Sequence, residues 1–317
     1  MNDPAPGSSP NPTSGRTVLV AGATGMLGRA AAAALHQTGV RVTSLSRSPA
    51  RAAGLRGIAD TIVLGDATRP DTLRGAFDGV DGVISCLGAP MAFTTGDRRS
   101  FRDLDTAANL NLIRAARTAG VRRFVYVSLL IRPAWSDTVY ARAHEEVVDQ
   151  LAGSGLSYGV VRPTGMFGIF DPFLGMARRG VAWIPGDGQA QTNPVHPYEV
   201  AQTCLDVLDR EEAASTMVGG PEVLTRQEIV ELAFRAVGTK PRILHLPRAA
   251  LRAGSVLLGP VHPRLSEVTD FASRALTNTF VAPLGGHRRL ADHFADVVAR
   301  SQPGRAAVPG MVETVTP

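Results

Sequence analysis

The chain has 317 residues, of which 44% are hydrophobic and 19% are charged. This length suits one large domain or two interleaved domains, and the composition is ordinary for a globular enzyme. The net charge of +5 is spread over scattered arginine pairs such as Arg122-Arg123, and Lys240 is the only lysine. Because no long basic run with interleaved aromatic residues occurs, the charge indicates a solvated basic surface and no nucleic-acid partner.

The cysteine count and the terminal segments indicate in which cellular compartment the protein is expected. Cys86 and Cys204 are too few for a disulfide framework. Residues 1–15 are rich in Pro, Ser and Gly and lack a signal-peptide pattern, and the most apolar late segment, residues 253–261, is too short to span a bilayer. We therefore expect a cytoplasmic protein with no membrane partner, with disordered ends at residues 1–15 and 302–317.

Apolar strands alternate with helices through the first half of the chain. The sequence from Thr17 to Gly39 predicts a buried strand, a glycine turn and an Ala-rich helix. Further strands are predicted at VRVTSLSR, TIVLGD, GVISCLG, RFVYVSLL and LSYGVVRP, with helices over residues 100–119 and 140–152. This alternation is typical of an α/β, doubly wound parallel-sheet Rossmann fold, which we place at residues 16–164.

The pattern weakens after Arg162, where loops and short helices are predicted. We assign residues 165–192 and 213–301 to a smaller C-terminal substrate lobe, and residues 193–212 to a return into the sheet layer. Within the lobe, TRQEIVELAFRAVG predicts an amphipathic helix. Its N-terminus has a capping box, formed by Thr225 and Glu228.

A glycine-rich turn joins the first strand to the first helix, and it consists of Gly22, Ala23, Thr24, Gly25, Met26, Leu27 and Gly28. In this context the G-x-x-G-x-x-G spacing predicts a dinucleotide site. Gly22 permits the tight turn, Gly25 lets a diphosphate approach the backbone, and Gly28 lets the helix pack against the strand. The helix N-terminus then offers free N–H groups to the phosphates. The alternative is a tight turn that binds nothing.

Arginine occurs where an NAD site usually carries an acidic residue. No Asp or Glu occurs from Arg29 to Ala59, whereas Arg47 follows the second predicted strand and Arg51 lies close behind it. An acidic residue would bond the ribose 2′-OH of NAD, whereas a guanidinium suits a 2′-phosphate. We therefore predict NADP as the cofactor, with NADPH preferred over NADH, unless arginine is simply the default polar residue of this chain.

Two further strand ends are expected to line the cofactor. After the third strand, Asp66 could accept a hydrogen bond from the adenine amino group or could serve as a turn residue, and Ala67 follows it. After the fourth strand, small residues would let the backbone approach the cofactor. This segment comprises Ser85, Cys86, Leu87 and Gly88.

Five segments carry a family resemblance: AGATGMLG, RFVYVSLL, SGLSYGVVRPTG, NPVHPYEVA and TNTFVAPLGGHRRLADHFADVV. Together they resemble the atypical short-chain dehydrogenase/reductase superfamily, and in particular its NAD(P)-binding, NmrA-like members. The resemblance covers residues 17–298. It implies a Rossmann fold and hydride transfer between a nicotinamide cofactor and a carbonyl or activated alkene.

The resemblance also implies three catalytic positions. Ser128 matches the active-site serine of the family, and Tyr140 matches the tyrosine that begins its Y-x-x-x-K motif. His144 replaces the lysine of that motif. A tyrosine with a reference pKa of ~10 needs a nearby cation to act efficiently at neutral pH. A neutral His144 could bond the cofactor ribose, a protonated one could lower the pKa of Tyr140, and packing is the alternative role.

The substrate is expected at the carboxyl end of the sixth strand, since parallel sheets bind ligands at that edge. Arg162 and Thr164 lie at this strand end and are candidate substrate-binding residues. Phe167 could line an apolar substrate pocket or belong to the core of the lobe. The resemblance implies that the segment of His196 faces the substrate, although His196 could equally cap a loop. The histidines show no metal-ligand spacing, so no metal is expected.

These features predict an NADP(H)-dependent oxidoreductase, monomeric or homodimeric, that reduces a carbonyl or conjugated double bond of a small apolar molecule. The missing lysine leaves two alternatives open. One is a catalytically inactive NADP(H)-binding redox sensor, and the other is an epimerase or isomerase that retains its cofactor.

Overall fold

A single parallel sheet forms the centre of the protein. The computed structural model describes residues 15–88, 98–247, 249, 253, 257–260 and 262–301, so the predicted disordered ends lie outside the described residues except for Gly15. The seven strands of the sheet are β1 (Thr17–Ala21), β2 (Arg41–Ser46), β3 (Thr61–Leu64), β4 (Gly82–Ser85), β5 (Arg123–Val127), β6 (Ser157–Pro163) and β9 (Ala214–Val218). All neighbours pair in parallel, in the order β3-β2-β1-β4-β5-β6-β9.

Helices cover both faces of this sheet. They are α1 (Met26–Gln37) and α6 (Pro197–Leu208) on one face, and α3 (Ala107–Thr118) and α4 (Val139–Ala152) on the other. Successive residues of a strand point to opposite faces, so Val18 packs under α1 and α6 while Leu19 packs under α3 and α4. Burial on both faces explains why the strands are continuous apolar runs. The predicted doubly wound Rossmann fold is confirmed.

One predicted boundary is wrong. The second segment of the predicted lobe begins at residue 213, but β9 joins the main sheet beside β6. As an edge strand with half-exposed residues, β9 lacks the apolar run that marks a buried strand. The helix predicted over residues 100–119 is present, and its first part, Arg102–Thr106, is a π-helical turn that leads into α3.

The C-terminal lobe has a hydrophobic core of its own, in which Phe173, Phe234 and Phe294 are buried. Its elements are α5 (Pro172–Arg178), β7 (Ala182–Pro185), β8 (Gln191–Thr192), β10 (Leu224–Thr225), α7 (Arg226–Val237), β11 (Ile243–Leu246), α8 (Pro263–Thr277) and α9 (Leu290–Arg300). The predicted capping box of α7 is confirmed, because Thr225 Oγ1 accepts from the Glu228 N–H at 3.1 Å and Glu228 Oε2 accepts from the Thr225 N–H at 2.7 Å.

Helix α8 connects the lobe to the sheet domain. Its Val268 is buried in a small cluster with Phe101 and Ala143, and its Phe271 packs against Tyr140 at the start of α4. None of the helices in the described ranges is long and apolar enough to cross a membrane.

Candidate cofactor groove and active site

A groove opens at the carboxyl edge of the sheet, where β1 and β4 are neighbours and the strand order reverses. Ligands of open parallel sheets bind at such a switch point. Nine residues predicted from the sequence line it: Gly22, Thr24, Gly25, Arg47, Asp66, Ala67, Cys86, Leu87 and Gly88. Nine others complete its walls: Leu45, Ser46, Arg51, Gly65, Thr68, Leu104, Asp105, Ala108 and Arg264.

Each of the three glycines of the turn occupies a position where a side chain would have a different effect. Gly22 has a φ of +83°, a conformation that favours glycine, and a Cβ there would lie 2.8 Å from the Cys86 carbonyl oxygen. A Cβ on Gly28 would overlap the Gly22 carbonyl, so helix and turn touch at that point. A Cβ on Gly25 would meet only the Gly22 oxygen, at 3.3 Å, and would otherwise project into the groove.

Of the other residues of the turn, some line the groove and others pack in the core behind it. Thr24 lines the groove, whereas Ala23 and Leu27 are buried in the core behind it. Met26 is exposed, and its side chain packs beside Gly168 of the loop after β6. The turn is therefore held from behind by apolar packing while Gly22, Thr24 and Gly25 face the groove.

One end of the groove combines two arginines with a carboxylate. Arg47 and Arg51 both line it, and Ser48 caps the short helix α2 (Pro49–Ala52) that carries Arg51. Asp66 accepts from the Thr68 N–H and hydroxyl at 2.9 and 2.8 Å. Burial raises the pKa of Asp66, but the bonds from Thr68 and the positive charge of Arg47 lower it by more, so the net direction is down. Asp66 thus forms a turn and also faces the groove.

The residues that directly follow β4 line the groove. The Ser85 hydroxyl turns away and donates to Asn109 Oδ1 at 2.6 Å, while Cys86, Leu87 and Gly88 line the groove. Asn109 also donates to the carbonyls of Asp105 and Leu87 at 2.8 and 3.4 Å. The role of Asn109 was not predicted from the sequence, although an amide within the segment NLNLI was a signal for it. Burial raises the pKa of Cys86 to about 12, which keeps the thiol neutral.

Tyr140 lies in an aromatic pocket at the start of α4. Thr138 caps this helix by accepting from the Ala141 N–H at 3.2 Å. The Tyr140 ring makes edge contacts with Phe101, His144 and Phe271, at centroid distances of 4.4, 4.7 and 4.8 Å. Burial raises the pKa of Tyr140 well above its usual value. The hydroxyl therefore stays protonated at neutral pH, which suits a proton donor.

His144 is buried and does not provide a positive charge. Its Nδ1 lies 2.7 Å from the Tyr126 hydroxyl, and the two rings stack at 5.8 Å. Burial, followed by the positive charge of Arg162, lowers the pKa of His144 to about 3. The protonated form considered from the sequence is therefore excluded near neutral pH, and a neutral imidazole that bonds Tyr126 takes its place.

We expect the buried neutral His144 to make stability depend on pH. The unfolded chain takes up this proton near its reference pKa of ~6.5, whereas the folded protein does so only near pH 3, so stability falls as pH falls below 6.5. The expected loss between pH 7 and pH 5 is about 2 kcal/mol for one such group. Urea unfolding of the wild type and of His144→Asn, whose amide does not titrate, measures it. Parallel pH profiles of the two proteins would contradict this expectation.

Ser128 directly follows β5, two residues after Tyr126. The Ser128 N–H donates to the Val161 carbonyl at 2.9 Å, which holds the serine at the carboxyl edge of the sheet. Within the described part of the chain, neither Ser128 Oγ nor His144 Nε2 has a hydrogen-bond partner, although both are buried. Buried polar atoms rarely lack a partner, and a bound ligand would supply one.

The four residues predicted to bind substrate make contacts within the protein. The Arg162 guanidinium bonds Glu145 at 2.6 and 3.2 Å, and Thr164 Oγ1 donates to the Asn193 carbonyl. Phe167 lies in the lobe core, and its ring is 5.4 Å from that of His196. His196 caps α6 by accepting from the Tyr198 N–H at 3.1 Å.

These contacts give all four side chains a structural role. Arg162 joins β6 to α4, and Thr164 joins the end of β6 to the segment before α6. Among the residues that the structure describes, none of the four lines the cofactor groove. Only Phe167 and His196 come together, at the junction of the lobe and the sheet domain. No group of three or more His, Cys, Asp or Glu residues in the described ranges is arranged to hold a metal ion.

A parallel sheet with a glycine-rich turn at its switch point is typical of dinucleotide-binding proteins of the Rossmann class. Comparison with known families agrees with this class. The family described as NAD(P)H-binding matches residues 22–211, and the chain belongs to this family.

Similar proteins include reductases and an assembly factor. Photosystem II assembly factor Ycf39 of Synechocystis sp. is 31% identical over 241 residues, which cover 74% of this chain and 72% of that protein. Divinyl chlorophyllide a 8-vinyl-reductase of Zea mays is 29% identical over 305 residues, with 86% and 74% covered. The resemblance to atypical short-chain dehydrogenase/reductases is confirmed.

The fold is shared with a solved reductase. The NADPH-dependent quinone oxidoreductase of Escherichia coli, determined in complex with NADPH, has a TM-score of 0.67 at 20% identity. The match covers 90% of this chain and 99% of the other. At this level of identity the similarity shows a common fold.

Proposed function

We propose that the protein is an NADP(H)-dependent oxidoreductase that reduces a carbonyl or conjugated double bond of a small apolar molecule. Two buried polar atoms without a partner in the described residues support this best: Ser128 Oγ, and Nε2 of His144, whose ring contacts that of Tyr140 at 4.7 Å. Ser128 follows β5 at the carboxyl edge of the sheet, where the groove also opens, although none of Ser128, Tyr140 and His144 is among the described residues that line the groove. In this proposal a substrate oxygen bound beside Tyr140 bonds Ser128 Oγ or His144 Nε2 and meets a protonated tyrosine.

Each residue then has a distinct role. A bound nicotinamide cofactor supplies the hydride. Tyr140 donates the proton, because its raised pKa keeps the hydroxyl protonated. Burial also raises the pKa of Tyr126, so Tyr126 donates to His144 Nδ1 and leaves the proton of the neutral imidazole on Nε2. His144 Nε2 and the Ser128 hydroxyl both donate to the substrate oxygen or cofactor ribose.

Phe101 and Phe271 make the surroundings of Tyr140 apolar and exclude water from its ring. These apolar surroundings favour an apolar substrate, because a polar group would lose its hydration there without gaining a hydrogen-bond partner.

The preference for NADP rests on the two arginines that line the groove. We expect Arg47→Ala to weaken NADPH binding by ~10-fold to ~100-fold while NADH binding changes little, because only NADPH carries a 2′-phosphate. Calorimetric titration with both cofactors measures the change. Arg74→Ala, which removes an exposed arginine outside the groove, is the control. Equal losses for NADPH and NADH would show that Arg47 does not recognise the 2′-phosphate.

The reductase proposal is tested by following NADPH oxidation with a panel of aldehydes, ketones, quinones and enones. We expect turnover with at least one apolar member of the panel, and none without protein. A protein that binds NADPH but oxidises it with no member would favour the second candidate below.

The second candidate is an NADP(H)-binding redox sensor that regulates a partner. Two observations favour it: the motif lysine is absent, and His144 is neutral. This function requires tight binding, unequal affinities for NADP+ and NADPH, and no hydride transfer. A cofactor-retaining epimerase or isomerase would instead copurify with its cofactor. In each case we propose a cytoplasmic monomer or homodimer.

A further inference from the structure

One residue in the groove comes from the C-terminal lobe. Arg264, in the first turn of α8, lines the groove together with Gly22, Thr24 and Asp105, and only 1% of its surface is exposed. All the other residues that the structure shows in the lining lie between positions 22 and 108. The fold therefore places a buried guanidinium from a distant segment in the wall of the dinucleotide groove.

Phe101 contacts α8 at two places, one of which is the Arg264 guanidinium. The Arg264 Cζ lies 3.2 Å from the centroid of the Phe101 ring, and Glu267 Oε2 accepts from the Phe101 N–H at 3.0 Å. The N-terminus of α8 is itself capped, because His262 Nδ1 accepts from the Leu265 N–H at 3.1 Å. A planar guanidinium stacked on a ring is pre-organised, so little entropy is lost when it binds a further group.

Arg264 is also close to the proposed proton donor. Phe101, which Arg264 covers, contacts the Tyr140 ring at 4.4 Å, and Phe271 of the same helix α8 contacts it at 4.8 Å. The positive charge of Arg264 opposes the rise in the pKa of Tyr140 that burial and Asp105 cause. The guanidinium stays charged at every relevant pH, whereas His144 is neutral.

The site therefore contains a fixed cation, but not at the motif position. We propose that Arg264 binds the dinucleotide at the Tyr140 end of the groove and supplies, from the lobe, the positive charge that the Tyr140–His144 motif lacks. Burial raises the pKa of Glu267, and the charge of Arg264 opposes that rise. An anionic or hydroxyl-bearing ligand would add strong, charge-assisted hydrogen bonds to the guanidinium. This inference rests on the proposed function, because it requires the groove to bind NADP(H).

Three variants separate the charge of Arg264 from its packing. Arg264→Met keeps much of the apolar volume without the charge, and Arg264→Lys keeps the charge without the planar group. Arg274→Met is the matched control, since Arg274 lies on the same helix but pairs with Asp137 and Asp270 outside the groove. Calorimetric dissociation constants are measured for NADPH and for 2′,5′-ADP, which reaches only the Arg47 end. Thermal unfolding checks that each variant is folded.

We expect Arg264→Met to weaken NADPH binding by ~10-fold to ~100-fold, the size of a lost charge-assisted contact. Arg264→Lys should restore part of the affinity, Arg274→Met should bind as the wild type does, and 2′,5′-ADP should bind all variants within about twofold. If Arg264→Met does not fold, Arg264→Gln replaces it, because its amide retains a planar group over Phe101 without the charge.

Three results would overturn the inference while leaving the proposed function intact: wild-type affinity for NADPH in the uncharged variant, a lysine variant as weak as the methionine variant, or an equal loss for 2′,5′-ADP. The first removes Arg264 from the site, the second assigns its effect to packing, and the third places it at the adenosine end. A wild-type protein that binds no NADPH would instead refute the proposed function, and the inference with it.

Discussion

Tyr140→Phe is expected to reduce turnover at least ~100-fold while the dissociation constant of NADPH stays within about twofold, because only the proton donor is lost. The ring contacts with Phe101, His144 and Phe271 do not involve the hydroxyl, so they remain in the variant. The measurement pairs steady-state NADPH oxidation with calorimetric titration of the cofactor.

Tyr158→Phe is the matched control, because Tyr158 packs in the sheet core away from the groove. It should turn over as the wild type does. If Tyr140→Phe also keeps wild-type turnover, Tyr140 is not the proton donor and the reductase mechanism proposed here is wrong. If turnover and NADPH affinity fall together, the substitution has damaged the groove and not only the chemistry.

Two glycine substitutions in the same turn are expected to act differently. Gly25→Ala should leave thermal stability nearly unchanged but weaken NADPH binding at least ~10-fold, because the added methyl projects into the groove where the diphosphate approaches. Gly28→Ala should lose stability by about 3 kcal/mol or more, and cofactor binding with it, because its Cβ overlaps the Gly22 carbonyl.

Gly175→Ala tests whether any new methyl group has these effects. A Cβ at Gly175 in α5 meets no atom within 4 Å, so this variant should be as stable as the wild type and bind NADPH equally well. Urea unfolding and calorimetry measure both properties for all three variants. Normal NADPH binding by Gly25→Ala would place the diphosphate elsewhere and refute the assignment of the groove.

The sequence alone was enough to predict the Rossmann fold and the glycine turn. Both depend on local patterns: apolar strands buried on two faces are continuous apolar runs, and the turn needs glycine where a Cβ would collide. Arg47 and Asp66 were also predictable, because they follow strands whose carboxyl ends must meet at one edge of the sheet.

Other features depend on residues that are far apart in the chain. Strand β9 was not predicted, because an edge strand is only half buried and its sequence shows no clear hydrophobic periodicity. The state of His144 was open in the sequence, and only the tertiary structure showed that packing around it removes the water a charged imidazole needs.

Arg264 shows the same limit most clearly. Nothing in its local sequence distinguishes it from the many other arginines of the chain, and it enters the groove only because α8 folds back over Phe101 and Tyr140. The sequence by itself therefore determined the sheet, the turn and the class of ligand, since these follow from short-range steric and hydrophobic patterns. The tertiary structure decided that Arg264 lines the groove and that His144 is buried and neutral, because charge and burial depend on neighbours that the chain brings together only on folding.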